Sequence, residues 1–320
     1  MQPMLDTQKE QLLKRASRAS LATATLLIVV KLIAWGLSGS ISVLATFTDS
    51  ILDAFVSIIN LIAISIALKP ADEDHHYGHG KAEQLASLAQ CGFVGGSGLV
   101  LVLHAIDGLR HGSEVESSGA ALITMLFSMA CTLALVLYQA RVVRLTGSLA
   151  IHTDSLHYRM DLLTNAGVIA ALLAAQRGWS FVDPLVGILI ALYMILSILR
   201  VAWDAIQMLM DRALGEEKTA LIEKQVLSER HIVGMHRLRT RMSGITPVIQ
   251  LDLGLDGQLS LQEAHGIGKR VEKRLLEVIP DADITIHLAP RQPGSAGINS
   301  STSAKNGSTP AVFCTNEKPT

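Results

Sequence analysis

Apolar residues along this chain fall into long runs, not into the narrow stripes of surface helices. Six runs stand out, at 19–38, 42–68, 85–109, 118–140, 147–175 and 181–207. Each is near or above the ~20 residues that a helix needs to cross a bilayer. Lys31 interrupts the first and Arg159 the fifth, and neither shortens its run below spanning length. Short polar links such as Ser38-Gly39-Ser40 suit tight hairpins between neighbouring helices. The pattern predicts a short polar segment over 1–18 and an all-α membrane domain of six spans over 19–210.

From residue 211 the period changes. Residues 216–228 read as an amphipathic helix, and 231–240 as a strand. In 247–255, Ile249, Leu251, Leu253 and Leu255 alternate with Val248, Gln250, Asp252 and Gly254, which is a strand with one buried face. A second amphipathic helix is expected over 260–278, with Ser260 as N-cap and Glu263 completing a capping box. A third strand follows at 283–288. The order α-β-β-α-β predicts a two-layer α+β domain of ferredoxin or metallochaperone type over 211–290. A domain of this size buries only a modest core, so dimerisation is an expected aid. The stretch 291–320, rich in Ser, Thr, Asn, Gly and Pro, is expected to be a disordered tail.

Composition agrees with a membrane protein: 49% of the 320 residues are hydrophobic, 17% are charged, and the mean hydropathy is +0.39. The net charge of -1 leaves no basic face for a nucleic acid. Cys91, Cys131 and Cys314 lie far apart and form no C-x-x-C pair, so no disulfide framework is expected. The first 18 residues lack the apolar core and cleavage site of a signal peptide. Lys9, Lys14, Arg15, Arg18, Lys69, Lys81, Arg141, Arg144 and Arg212 flank one side of the six spans, against Arg110 and Arg177 on the other. The positive-inside rule then puts both termini in the cytoplasm, in keeping with an even number of spans.

Two short stretches inside the apolar runs carry the chemistry. Asp49 and Asp53 open the core of the second run; His157 and Asp161 lie in the fifth. Both pairs have i, i+4 spacing, so each projects from one helix face. Ionisable groups at the centre of a membrane helix cost roughly 2.5 kcal/mol or more each, and they usually line a pathway or pair with one another. Polar contacts between packed helices are the simpler alternative. Three acids make poor packing contacts, however, because like charges repel unless a cation or proton intervenes. Facing each other, the two helices would offer three carboxylates and one imidazole, a donor set suited to a divalent transition metal, most simply zinc. Asn60 and Asn165 continue the same faces and are expected to bond across the helix interface. Asp154, one turn before His157, has two readings, an acid on the access path or a helix cap.

A second cluster is Asp72-Glu73-Asp74-His75-His76-Tyr77-Gly78-His79-Gly80-Lys81-Ala82-Glu83, in the link between the second and third spans. Carboxylates and imidazoles this dense suit a loop-borne zinc or a cation-concentrating funnel; a plain solvated loop is the alternative. In the C-terminal domain, His231, His236, Asp252, His265 and His287 are scattered over strands and a helix, where ligand and ordinary surface readings stand level.

These pieces together resemble the cation diffusion facilitator family, most closely its bacterial ferrous-iron/zinc efflux branch. The matching stretches are Thr48-Asp49-Ser50-Ile51-Leu52-Asp53, Pro70-Ala71-Asp72 through to Gly78-His79-Gly80-Lys81-Ala82-Glu83, Asp154-Ser155-Leu156-His157-Tyr158-Arg159-Met160-Asp161, and Met235-His236-Arg237-Leu238-Arg239-Thr240-Arg241. The resemblance covers about 10–290. It implies a homodimer in the bacterial inner membrane, exchanging cytoplasmic Zn²⁺ or a similar ion such as Cd²⁺ or Fe²⁺ for protons. By the same resemblance Asp49, Asp53, His157 and Asp161 form the transport site. Asp72, His75 and His79 form a loop site, and Lys81 with Asp211 a charge interlock between protomers. His236, His265 and His287 match a C-terminal regulatory site, but Asp252 and Ala289 stand where the family has a histidine and an aspartate.

Metal binding needs deprotonated ligands, so protons compete for the same atoms, and an imidazole, with its ordinary pKa of ~6.5, is the group suited to exchange near neutrality. Exporting one dication for one proton would work against an inside-negative potential, by ~2.3 kcal/mol per charge per 100 mV. No H-E-x-x-H and no Walker P-loop is present, which argues against a metalloprotease and an ATP-driven pump. A secondary transporter is therefore expected, not an enzyme. The alternatives are a membrane-embedded metal sensor or scaffold that binds without transporting, and a membrane metal-dependent hydrolase, for which no general base is evident.

Overall fold

A computed structural model describes residues 6–38, 41–111, 119–175 and 182–290. The expected disordered tail, Cys314 and Arg177 lie outside the described residues. The chain divides into two compact units: the first takes in 1–214 with 240–248 and 281–283, the second the remainder.

The first unit is built on six helices, α1 (Asp6–Ser38), α2 (Ile41–Ala67), α3 (Ala82–His111), α4 (Gly119–Thr146), α5 (Leu149–Ala175) and α6 (Val182–Leu209). α1 begins at Asp6 and not at 19. Its polar first turns belong to the same helix because Leu13 and Ala16 are buried in a core shared with Ile64, Val142, Ala150 and Ile151. Five helices contain stretches long and apolar enough to cross a membrane: Thr7–Leu37, Thr46–Ala67, Ala82–Asp107, Leu122–Thr146 and Leu185–Leu209. α5 is as long as α2, at 27 residues, but Asp154, His157, Arg159 and Asp161 dilute its first half. The chain is thus a multi-pass membrane protein.

Burial in this unit is inverted relative to a water-soluble bundle. Along α2, Ser50, Ala54, Ser57 and Asn60 are buried, while Ile51, Leu52, Phe55, Ile58 and Ile62 are exposed. Large apolar side chains on the outside suit lipid, and small or polar ones inside let helices approach closely. At Gly167 on α5 a Cβ would come within 2.8 Å of Ile190 and 2.9 Å of Val186, so only glycine allows that close packing on α6. A second core joins α3, α5 and α6 through Val94, Leu156, Met160, Met194, Ile198 and Val201.

The C-terminal elements are α7 (Glu216–Leu227), β1 (Ile232–Ser243), β2 (Thr246–Leu255), α8 (Leu261–Val278) and β3 (Asp283–Pro290), which is the expected α+β order. The sheet has the order β1-β2-β3. Ile249, Leu251 and Leu253 of β2 are buried, as the alternation requires, with Ile222 and Val226 of α7 and Ile267, Val271 and Leu275 of α8. Ser260 caps α8: its side chain accepts from the Glu263 amide, and the Glu263 carboxylate accepts from the Ser260 amide, closing the capping box.

Candidate metal centre

α2 and α5 bring three of the predicted ligands together. His157 Nε2 lies 2.9 Å from Asp53 Oδ1 and 3.7 Å from Asp161 Oδ2. One donor atom from each of Asp53, His157 and Asp161 falls within 4.8 Å of the others. Zinc–ligand bonds of ~2.0–2.2 Å put tetrahedral donors roughly 3.3 Å apart, so the spacing fits a dication with little movement. The side chains of Asp53 and His157 are 19% and 12% exposed, so the charges are withdrawn from solvent. Asp49, one turn before Asp53, is exposed and is not in this group of three.

The position of α5 is set by contacts outside the cluster. α4 ends at Thr146, Gly147 takes a left-handed φ of 71°, and α5 starts at Leu149. The buried Glu83 of α3 reaches this helix start. Its Oε1 accepts from Ser148 Oγ (2.6 Å) and from the Ala150 amide (3.2 Å), a carboxylate where a helix N-terminus favours one. Glu83, part of the loop motif in sequence, therefore serves α5 and not the loop. Further along, Asp154 is fully buried and is neither a cap nor exposed on a path. Its Oδ2 accepts from Ser20 Oγ (2.6 Å) on α1 and Gln139 Nε2 (2.6 Å) on α4, and its Oδ1 from Gln90 Nε2 (3.2 Å) on α3. Tyr158 adds a hydroxyl contact with Ser57 of α2 at 2.9 Å. Residues 154 and 158 thus fix the face of α5 on which His157 stands. The other ring nitrogen of His157, Nδ1, is buried without a hydrogen-bond partner among the described residues, so the Nε2 contact with Asp53 is what orients the ring. Asn60 departs from expectation: both its side-chain polar atoms are buried and unpartnered among the described residues, facing the gap between α2 and α3 beside Gln90.

The α2–α3 link forms a second group. Asp72, His75 and His79 offer donor atoms within 4.8 Å of one another. Asp72 Oδ1 accepts from the amides of Asp74 (3.2 Å) and His75 (2.7 Å), and its Oδ2 lies 3.2 Å from His79 Nε2. The His75 amide bond chiefly holds the Asp72 carboxyl below the usual carboxylate range. Gly78, at φ 73°, makes the turn that returns His79 to Asp72. His76 is not in the group.

The C-terminal residues are not gathered in the same way. His236, His265 and His287 are all exposed, and among the described residues they form no group of three donors within 4.8 Å. Asp252 pairs instead with Arg237, at 3.7 Å. Lys81 and Asp211 meet within one chain at 3.0 Å. Partial burial raises the Asp211 carboxyl, but Lys81 and Arg241, the latter 3.3 Å away, together outweigh it and hold the group below its ordinary range. Metal-ligand reasoning did not point to Tyr158 and counted Glu83 with the loop donors, whereas both act on the helix and not on a cluster.

A membrane bundle with a buried carboxylate–imidazole cluster between two of its spans has the features of a cation carrier. Comparison with known families agrees: residues 17–210 match the cation efflux transmembrane domain, and 214–291 match the cytoplasmic domain of cation efflux proteins. The chain belongs to the cation efflux, or cation diffusion facilitator, family. A cation-efflux pump FieF from Shewanella oneidensis is 45% identical over 279 residues, 87% of this chain and 94% of that protein. The FieF of Citrobacter koseri is 40% identical over 280 residues, 88% of this chain and 93% of that protein. Among solved structures, the metal-bound C-terminal domain of the CzcD transporter from Thermotoga maritima matches with a TM-score of 0.23 and 28% identity, over 23% of this chain and 87% of that one. The chain is accordingly a cation efflux transporter.

Proposed function

We propose that the cargo is a divalent transition metal, Zn²⁺ foremost and Cd²⁺ or Fe²⁺ with it, expelled from the cytoplasm across a bacterial inner membrane in exchange for protons. The observation that carries this reading is the Asp53–His157–Asp161 cluster, gathered between α2 and α5 with Asp53 and His157 largely buried. Asp49 supplies the fourth donor once the cation draws the first turns of α2 inward. A neutral imidazole and ionised carboxylates take the metal. On the outward-facing side, protons claim the same atoms and the metal leaves; the protonated site then returns. Because one set of atoms serves both ions, the two cannot ride together, which is the requirement for exchange.

Asp72, His75 and His79 fit a zinc with three protein ligands and an open position filled by water. On the face where Lys69 and Lys81 lie, this group would receive the ion from the cytoplasm and raise its local concentration. The unit acts as a homodimer, its C-terminal domain lying in the cytoplasm with both termini; the match to a cytoplasmic domain supports this. In the dimer Lys81 and Asp211 serve as the charged contact at the membrane edge, and His236, His265 and His287 respond to metal across protomers. The domains divide at 18/19, 210/211 and 290/291.

The test is flux of zinc and protons in vesicles reconstituted with the full chain. Zinc movement driven by a pH gradient, with counter-movement of protons, is expected. Zinc binding without movement would overturn the reading in favour of a sensor.

A further inference from the structure

Lys31 is a charged residue in the apolar part of α1, within a span running Thr7–Leu37. Such a residue persists in a membrane helix when it meets a partner. Its Nζ donates to Ser50 Oγ at 2.7 Å and to the Thr46 carbonyl at 3.0 Å, both on α2. Ser50 is fully buried and stands between Asp49 and Asp53. The ammonium is thus tied to the turn of α2 that carries the two acids. The charged groups acting on it electrostatically are Asp53, Asp161 and Asp49, the same carboxylates assigned to the cargo site, and none of them is its direct hydrogen-bond partner. Burial works against its charge while the three carboxylates work for it, and its bonds to Ser50 and Thr46 hold it on the turn of α2 that carries Asp49 and Asp53.

We propose that Lys31 is a built-in counter-charge that sets which cation the site accepts and how tightly. The inference rests on the cargo-site reading above. Three carboxylates facing one ammonium leave two negative charges uncompensated. One dication neutralises them, whereas a monovalent ion leaves the buried site charged, and charge left in a low-dielectric interior is strongly disfavoured. The same repulsion between ammonium and metal keeps the dication from binding too tightly to leave, as a carrier requires.

The test measures zinc affinity by titration calorimetry on the full-length protein in nanodiscs, with circular dichroism confirming the fold of each variant. Lys31→Met is expected to bind zinc at least about tenfold more tightly, because a like charge close to the dication is gone from a poorly screened site. Lys31→Gln, which retains a donor for Ser50 and Thr46, is expected to do the same. Lys31→Arg should stay within about threefold of the unsubstituted protein, since the charge is kept. If Lys31→Met does not fold, Lys31→Gln carries the comparison. A zinc affinity unchanged in Lys31→Met and Lys31→Gln, while Asp53→Ala loses binding, would reduce Lys31 to a hydrogen bond between α1 and α2. Zinc binding undiminished in Asp53→Ala would instead remove the cargo site itself, whatever Lys31 does.

Discussion

The chain builds two clusters from the same chemistry, carboxylate and imidazole, in opposite surroundings. Between α2 and α5, the side chains of Asp53, His157 and Asp161 are 19%, 12% and 36% exposed; in the α2–α3 link, those of Asp72 and His75 are 52% and 59% exposed, and only His79, at 13%, is covered to a similar degree. The loop group assembles itself within eight residues, through an Asp72 turn closed by the amides of Asp74 and His75. The buried group needs two helices held in register, which is the work of Glu83 at the start of α5 and of Asp154 further along it. Water screens the loop charges and leaves them weakly coupled; the buried charges feel one another and any cation among them. A solvated cluster suits capture and release, and a dry one suits strict exchange of metal for protons.

The sharpest way to break this contrast is to remove a buried carboxylate. Asp53→Ala should abolish zinc flux in reconstituted vesicles, a loss of at least about a hundredfold, because one of the three gathered donors is gone and no water can replace its charge. Size-exclusion chromatography would check that assembly is intact. Undiminished flux would take the buried cluster out of transport.

Next in size is a change of donor type. His157→Asp replaces a borderline nitrogen by a hard oxygen, so relative transport should move toward Mn²⁺ by about tenfold against Zn²⁺. The pH dependence near neutrality should flatten as well, since the imidazole is lost. Flux of several metals across a pH series would read both effects, and an unchanged pH profile would mean that protons travel elsewhere.

The support of the buried cluster can be tested apart from its chemistry. Asp154→Ala removes the shared acceptor of Ser20, Gln90 and Gln139; Ser20 keeps the Ala16 carbonyl and Gln139 keeps Ser20, so Gln90 and one Gln139 hydrogen are left unsatisfied. A loss of about 3 kcal/mol is expected, at ~1–3 kcal/mol per stranded group with partial relaxation, seen as a lower midpoint in thermal unfolding. Asp154→Asn keeps one acceptor and should lose less. Equal stability of both variants with the unsubstituted protein would mean that packing alone fixes α5.

How far these features could be read beforehand follows the same division. The α+β order, the capping box and the runs that became helices were legible because each rests on spacing within one element. The gathering of donors followed the spacing for His157 and Asp161 at i, i+4 and for Asp72, His75 and His79 within one loop, but not for Asp49, which the same spacing put with Asp53 and which stands outside the group. The start of α1 at Asp6 was not legible, because a pattern of apolar runs passes over turns in which only Leu13, Ala16 and the polar Ser17 are buried. The partners of Asp154 were not either. They stand 134, 64 and 15 residues away on other helices, and no local pattern joins them. Asn60 shows the reverse failure, since a polar residue on the right face found no partner among the described residues.

The smallest effect is expected in the loop cluster, whose Asp72 and His75 are more than half exposed although His79 itself is 13% exposed. His79→Ala removes the ligand that closes on Asp72 Oδ2 at 3.2 Å and leaves Asp72 and His75 with their backbone-ordered turn. Two donors still attract cations, so capture should weaken without stopping. Zinc flux should fall by about two- to fivefold at low zinc and recover at saturating zinc, which is a higher KM with Vmax retained. Raising the salt concentration should narrow the difference, because attraction by an exposed group is screened over about 8 Å at physiological ionic strength. The buried cluster should show no such sensitivity. If His79→Ala lowered Vmax as severely as Asp53→Ala, the loop would be part of the exchange step itself, and the division between a capturing and an exchanging cluster would collapse.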